Sequence, residues 1–240
     1  MSQPTAKTIL SSDRVSPIAS LHVEVIADFT CPFCFLGKRR LDSALQAVVG
    51  PREVSWYPWQ LNPEMPKEGM TFDAYLASRF GSVAAITPVL EGLQLEGAEL
   101  GIDFRFDKIK RVPNTLRAHQ LMYLAELQGI DRSVLADDLM AGFFSRGEDL
   151  GARKTLLEIG VRHGLDAAAI DRTIDDSQAT QVVQTREGQA RASGIAGVPG
   201  FLLNRRLLIV GAQDTDNIIN AFDRAMFGEG ADQLVSPALN

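Results

Sequence analysis

Residues 21–37 read LHVEVIADFTCPFCFLG, and the pattern changes character within that stretch. Up to Ala27 apolar and polar residues alternate and then turn wholly apolar, the signature of a strand. From Cys31 to Val49 the repeat becomes helical. Phe35, Leu36, Leu41, Leu45 and Val48 share one side, and Lys38, Arg39, Arg40, Asp42 and Gln46 share the other. Thr30 is a residue type that caps helices, and Pro32 fits a first turn, where its missing N–H costs nothing. Gly50-Pro51 stops the helix. Residues 53–59, EVSWYPW, resume an extended pattern. The start therefore reads β-α-β. Cys31 and Cys34, the two cysteines of the chain, sit at the strand-to-helix junction.

That placement narrows the chemistry. One three-residue clip cannot staple a chain of 240 residues, so a disulfide scaffold is excluded. A structural zinc site needs four ligands, usually two such pairs. The second pair is missing, and His22, His119 and His163 lie far apart, so no metal is expected. What remains is thiol–disulfide exchange or an inert pair. At a helix start, unpaired N–H groups and the dipole favour the thiolate. Cys31 is expected to be exposed there and to act as the nucleophile. Cys34 lies one turn inward, shielded, and resolves the mixed disulfide. Pro32 restrains the turn between them.

Composition sets the outer bounds. The chain is 45% hydrophobic and 22% charged, with a formal net charge of -6. That describes an ordinary globular protein, not a coiled coil, a collagen or a disordered chain. A polybasic nucleic-acid groove is not expected. No apolar run reaches the ~18 residues of a membrane span. Residues 1–20 lack an apolar signal region and are read as a flexible tail, with a cytoplasmic location expected.

Helical patterns dominate residues 62–192, at roughly 71–80, 82–100, 114–128, 131–144, 152–163, 166–174 and 177–192. Asn114 is read as the N-cap of the third, and 102–106 (IDFRF) as a short extended piece. Residues 194–200 form a loop, 201–204 and 206–210 a hairpin, and Asp214 to Phe227 a closing helix, with 228–240 a tail. The expected organisation is a first half at 21–61, an all-helical insertion domain at 62–192 and a second half at 193–227.

The stretch Asp28 to Gly37, DFTCPFCFLG, resembles the active-site segment of DsbA-like thioredoxin-fold oxidoreductases, in particular the FrnE-like branch. Relatives of that branch are the 2-hydroxychromene-2-carboxylate isomerases and the kappa-class glutathione transferases. A second likeness is GIAGVP at Gly194–Pro199, followed by a hairpin and Gly211-Ala212-Gln213. A third is Asn114-Thr115 with Ala118-His119, similar to a motif of the branch. There are departures. Gly200 follows the proline where the family has a bulkier residue, and Phe33 stands where the branch often has Trp. Asn204-Arg205-Arg206 replaces a glycine-containing turn.

The resemblance implies an α/β thioredoxin fold with a helical insertion between the second and third strands. It also implies a cis Val198–Pro199 bond. With that bond cis, the Val198 backbone can face Cys31 and pair with an incoming strand. The expected catalytic residues are Cys31, Cys34 and Pro199. Pro32, Phe33, Val198 and Asn114 are expected to contact substrate. Asp28 is read either as a proton acceptor during resolution or as a surface carboxylate. Lys38, Arg39 and Arg40 are read as a solvated helix face. The expected activity is that of a thiol–disulfide oxidoreductase without metal or organic cofactor. Its partners would be a disulfide-containing protein or small molecule and a thiol reductant or oxidant, with no nucleic acid or membrane. The alternatives are a glutathione-dependent isomerase or transferase, with glutathione as co-substrate, and a non-catalytic peptide-binding module.

Overall fold

The computed structural model describes residues 20–228; the two expected tails lie almost wholly outside that range. Strand β1 (Leu21–Ala27) runs into helix α1 (Pro32–Gln46), which returns to β2 (Arg52–Pro58) parallel to β1. The chain rejoins the sheet far downstream through β5 (Gly200–Leu203) and β6 (Leu207–Val210), giving the order β2-β1-β5-β6. β5 is antiparallel to β1 and to β6. Helix α9 (Thr215–Phe227) then packs beside α1. This is the α/β arrangement expected from the sequence. The β5–β6 turn is tight: Asn204 and Arg205 both have positive φ (48° and 54°) and Arg206 N–H returns to Leu203 O. That is the primed turn whose twist suits a hairpin, built here without glycine. The Asn204 side chain offsets the backbone cost, accepting from His22 N–H and donating to Ala225 O.

Between β2 and β5 the chain is helical: α2 (Phe72–Phe80), α3 (Val83–Glu99), α4 (Leu116–Leu127), α5 (Arg132–Ala141), α6 (Arg153–Arg162), α7 (Ala167–Thr173) and α8 (Ser177–Ala192). The insertion is not all-helical. Met70–Thr71 (β3) and Arg111–Val112 (β4) form a two-residue antiparallel ladder. Residues 102–106 make no strand; Arg105 N–H instead bonds Phe144 O, and a 3-10 turn follows at Phe106–Lys108. α5 passes into a π-helical turn at Gly142–Arg146. Nor is the insertion a separate unit, because one continuous core runs through both parts. Phe35 of α1 lies 6.0 Å from Phe104 and 6.2 Å from Phe144 of the insertion, ring centre to ring centre. Each aromatic ring so buried contributes roughly 1.5–3 kcal/mol, so the two parts stabilise each other. The basic face of α1 is likewise covered. Lys38 is 6% exposed and reaches Asp42 and Asp137, while Arg40 pairs with Glu96 and Asp214. The solvated-face reading of these residues is therefore corrected: the insertion and α9 pack onto them.

Candidate active site

Cys31 is itself the N-cap of α1, one residue later than Thr30, and its carbonyl accepts the first helical N–H groups, from Cys34 (3.0 Å) and Phe35 (3.3 Å). Pro32 follows at N1, where its ring fits the helical φ. The Val198–Pro199 peptide bond is cis, and Cys31 Sγ donates to Val198 O at 4.0 Å. Gly37 allows α1 to approach this loop. A Cβ on Gly37 would lie 2.8 Å from Pro199 Cγ and 3.2 Å from Phe201 Cζ.

The expectation that Cys31 stands open to solvent is corrected: it is 4% exposed, and it reaches solvent along a cleft of about 350 Å³. Pro32, Phe33 and Val198 line that cleft beside it, with Phe143 and Phe144 among its buried walls and α2 and α3 lining it from the other side. Cys34 is 1% exposed. Burial pushes its thiol well above the usual range, and the neighbouring Cys31 and the Asp28 charge push the same way. One thiol thus faces the cleft and the other the interior.

Asp28 is fully buried, not a surface carboxylate. Its Oδ1 accepts from Thr30 N–H and Oγ1, and its Oδ2 from Leu61 N–H (2.7 Å) and Thr115 Oγ1 (3.3 Å). Burial raises its proton affinity above the ordinary carboxylate value, and His119 and these donors oppose the rise. Burial in turn holds His119 below the ordinary imidazole value, against the pull of Asp28 and Glu187. A carboxyl whose proton affinity burial has raised, set beside a buried thiol, is placed to accept and return a proton. The segment leaving β2 is fastened beside Asp28. Glu187 of α8, 5% exposed, accepts from Gln60 N–H and Nε2 (both 2.9 Å) and from Arg191. Trp59 O meets His119 Nε2 at 3.3 Å, and Arg191 covers the Trp59 ring.

The residues expected to contact substrate do not all meet. Cys31, Pro32, Phe33 and Val198 share the cleft lining; Asn114 is not among those residues. Its amide nitrogen donates to Met65 O and its Oδ1 accepts from Leu116 N–H, so it fastens the start of α4 just before the N-cap Thr115. Both polar ends are consumed within the chain. Sequence reading missed Thr115 as a partner of Asp28, although it lay inside the third motif. It also missed Arg79 and Tyr75 at the cleft, which sit on an ordinary amphipathic helix and carry no sequence signal. Among the described residues no three His, Cys, Asp or Glu side chains converge as metal ligands.

The model for the DSBA-like thioredoxin domain matches residues 22–223. A probable DsbA oxidoreductase from Streptomyces coelicolor is 27% identical with a TM-score of 0.80, over 91% of this chain and 94% of that one. A 2-hydroxychromene-2-carboxylate isomerase shares the fold at 17% identity and TM-score 0.63, over 85% and 95% of the two chains. The cytosolic disulfide reductase DsbM from Pseudomonas aeruginosa, solved with glutathione, does so at 20% identity and TM-score 0.55, over 85% and 95%.

Proposed function

The chain belongs to the DSBA-like thioredoxin domain family, and on that premise we propose that it is a thiol–disulfide oxidoreductase with Cys31 as nucleophile and Cys34 as resolving thiol. The observation that carries the reading is the asymmetry of the pair. Cys31 caps α1 at the cleft, against Val198 O, while Cys34 is buried beside Asp28. In the reducing direction, the Cys31 thiolate attacks one sulfur of a substrate disulfide, and the other sulfur leaves with the bonding pair. Cys34 then gives up its proton, for which Asp28 is the acceptor at hand. Its thiolate attacks the Cys31 sulfur and expels the second substrate thiolate. The protein ends as a Cys31–Cys34 disulfide, and the two electrons and two protons leave with the substrate thiols. A small or protein dithiol restores the pair; no metal or organic cofactor enters. Among the described residues no helix is long and apolar enough to cross a membrane. A cytoplasmic location is part of the proposal.

The likeness to the Streptomyces coelicolor oxidoreductase supports this reading. A second reading, glutathione-dependent isomerisation or transfer, draws on the fold shared with the 2-hydroxychromene-2-carboxylate isomerase. It needs no resolving thiol. Redox titration against glutathione, with free thiols counted by mass spectrometry, tests the first reading. A change of two mass units between oxidised and reduced forms is expected, and a mass unmoved by the titration refutes it. Activity lost in Cys31→Ser but kept in Cys34→Ser would select the second. Loss of all function in Cys31→Ser would exclude a non-catalytic peptide-binding module.

A further inference from the structure

The cleft beside Cys31 is walled almost entirely by hydrocarbon. Among the described residues that line it, one is charged: Arg79, in the last turn of α2. Leu76, Ile86 and Leu93 anchor α2 and α3 over it, and Phe33, Phe80 and Val89 stand about half exposed around it. Many arginines elsewhere are held by carboxylates, as Arg40, Arg117 and Arg191 are; Arg79, like Arg52, Arg111, Arg206 and Arg224, has no such partner among the described residues, and of these five it alone lines the cleft. On a chain with a formal net charge of -6, this places one available guanidinium at the mouth of an apolar cleft that ends at a thiol.

We infer that the cleft selects small disulfides that combine an apolar or aromatic body with a carboxylate, the body filling the cleft and the carboxylate pairing with Arg79. This rests on the oxidoreductase reading of Cys31 and Cys34. A volume of about 350 Å³ falls within the range of pockets that enclose small organic ligands, about 300–1,000 Å³. Glutathione suits it less. Its two carboxylates, ammonium and peptide groups would meet one cation and few hydrogen-bonding side chains, and polar groups buried without partners are costly. The step is the exchange described above. Cys31 bonds to the sulfur bearing the apolar acid and displaces the other as a thiolate. Cys34 then displaces the acid as its thiol, leaving the protein disulfide.

The test uses the full chain, reduced, with three disulfides: 5,5′-dithiobis(2-nitrobenzoate), aromatic and anionic; 4,4′-dithiodipyridine, aromatic and neutral; and glutathione disulfide. Each rate is divided by that of a free small thiol, which removes the probe's intrinsic reactivity. The corrected rate is expected to be highest for the aromatic acid. Arg79→Glu is expected to lower the anionic-to-neutral ratio by roughly tenfold, several-fold from the attraction lost and several-fold from the repulsion gained. Arg79→Lys should retain most of the ratio. A ratio unmoved by the charge reversal overturns the proposal and leaves Arg79 as a charge that complements the end of α2. Glutathione disulfide, or the protein disulfides of insulin, reacting as well as the aromatic acid also overturns it. If none of the disulfides brings the wild-type pair to a form two mass units lighter, the oxidoreductase reading has failed instead.

Discussion

Replacing Gly37 with alanine sets two effects of similar size against each other at the point where α1 meets the loop before β5. In an exposed helix interior the change would stabilise by about 1 kcal/mol, because glycine is the poorer helix former. Gly37 is buried, and its new Cβ would stand 2.8 Å from Pro199 Cγ, 3.2 Å from Phe201 Cζ and 3.4 Å from Pro199 Cβ. Carbon pairs attract at about 3.5–4.0 Å, so α1 and the loop must part by roughly 0.7 Å. Pro199 belongs to a rigid ring and Phe201 is fully buried on β5, so neither can swing aside cheaply. Overpacking of this kind costs about 1–3 kcal/mol. The overpacking wins, and a net destabilisation of about 1 kcal/mol is expected by urea unfolding. The same displacement moves Cys31 from Val198 O, so disulfide turnover should fall several-fold while Cys31 remains alkylatable. A Gly37→Ala protein that gains the full helix-propensity increment and keeps wild-type turnover would refute the argument that this close approach builds the site.

With limiting iodoacetamide the reduced protein should be labelled at Cys31 well before Cys34, since only Cys31 lines the cleft and burial keeps Cys34 protonated; peptide mapping that finds Cys34 labelled first contradicts the assignment of roles. Because burial raises the Asp28 proton affinity in the fold, its favourable contribution is complete at low pH. That contribution is lost as pH climbs from the ordinary carboxylate value of about 4 through the folded value. The stability of Asp28→Asn relative to wild type should therefore rise across that window, by up to about 1.4 kcal/mol per pH unit; parallel pH–stability curves would show that Asp28 does not titrate there. Glu187→Ala leaves the Gln60 N–H and side-chain amide without their acceptor. A loss of about 2–4 kcal/mol is expected by chemical denaturation, and a loss under about 0.5 kcal/mol would show that water replaces the carboxylate.

Local physics made the two sheet-forming segments readable. The switch from alternating to helical repeat at residues 21–49, and the Leu/Ile/Val runs flanking Asn204-Arg205, each carry their conformation in a few neighbouring residues, and the sheet formed as that pattern indicates. The insertion was less legible. The β3–β4 ladder is only two residues per strand, too short for a period, and exists because Met70 happens to meet Val112. Likewise Asn114 has the side chain of a helix cap, and it serves the start of α4, but nothing local says that its amide is taken by Met65 O.

The sequence by itself determined that two thiols sit at a strand-to-helix junction, because a turn of helix fixes the spacing from Cys31 to Cys34. Only the tertiary structure decided what surrounds them. The burial of Asp28 and Lys38, the enclosure of Cys31 and the arrival of Arg79 at the cleft all depend on segments many residues apart packing together. The free energy of a charge or a thiol depends on the dielectric and the partners that such packing supplies. No local repeat in the chain encodes that environment.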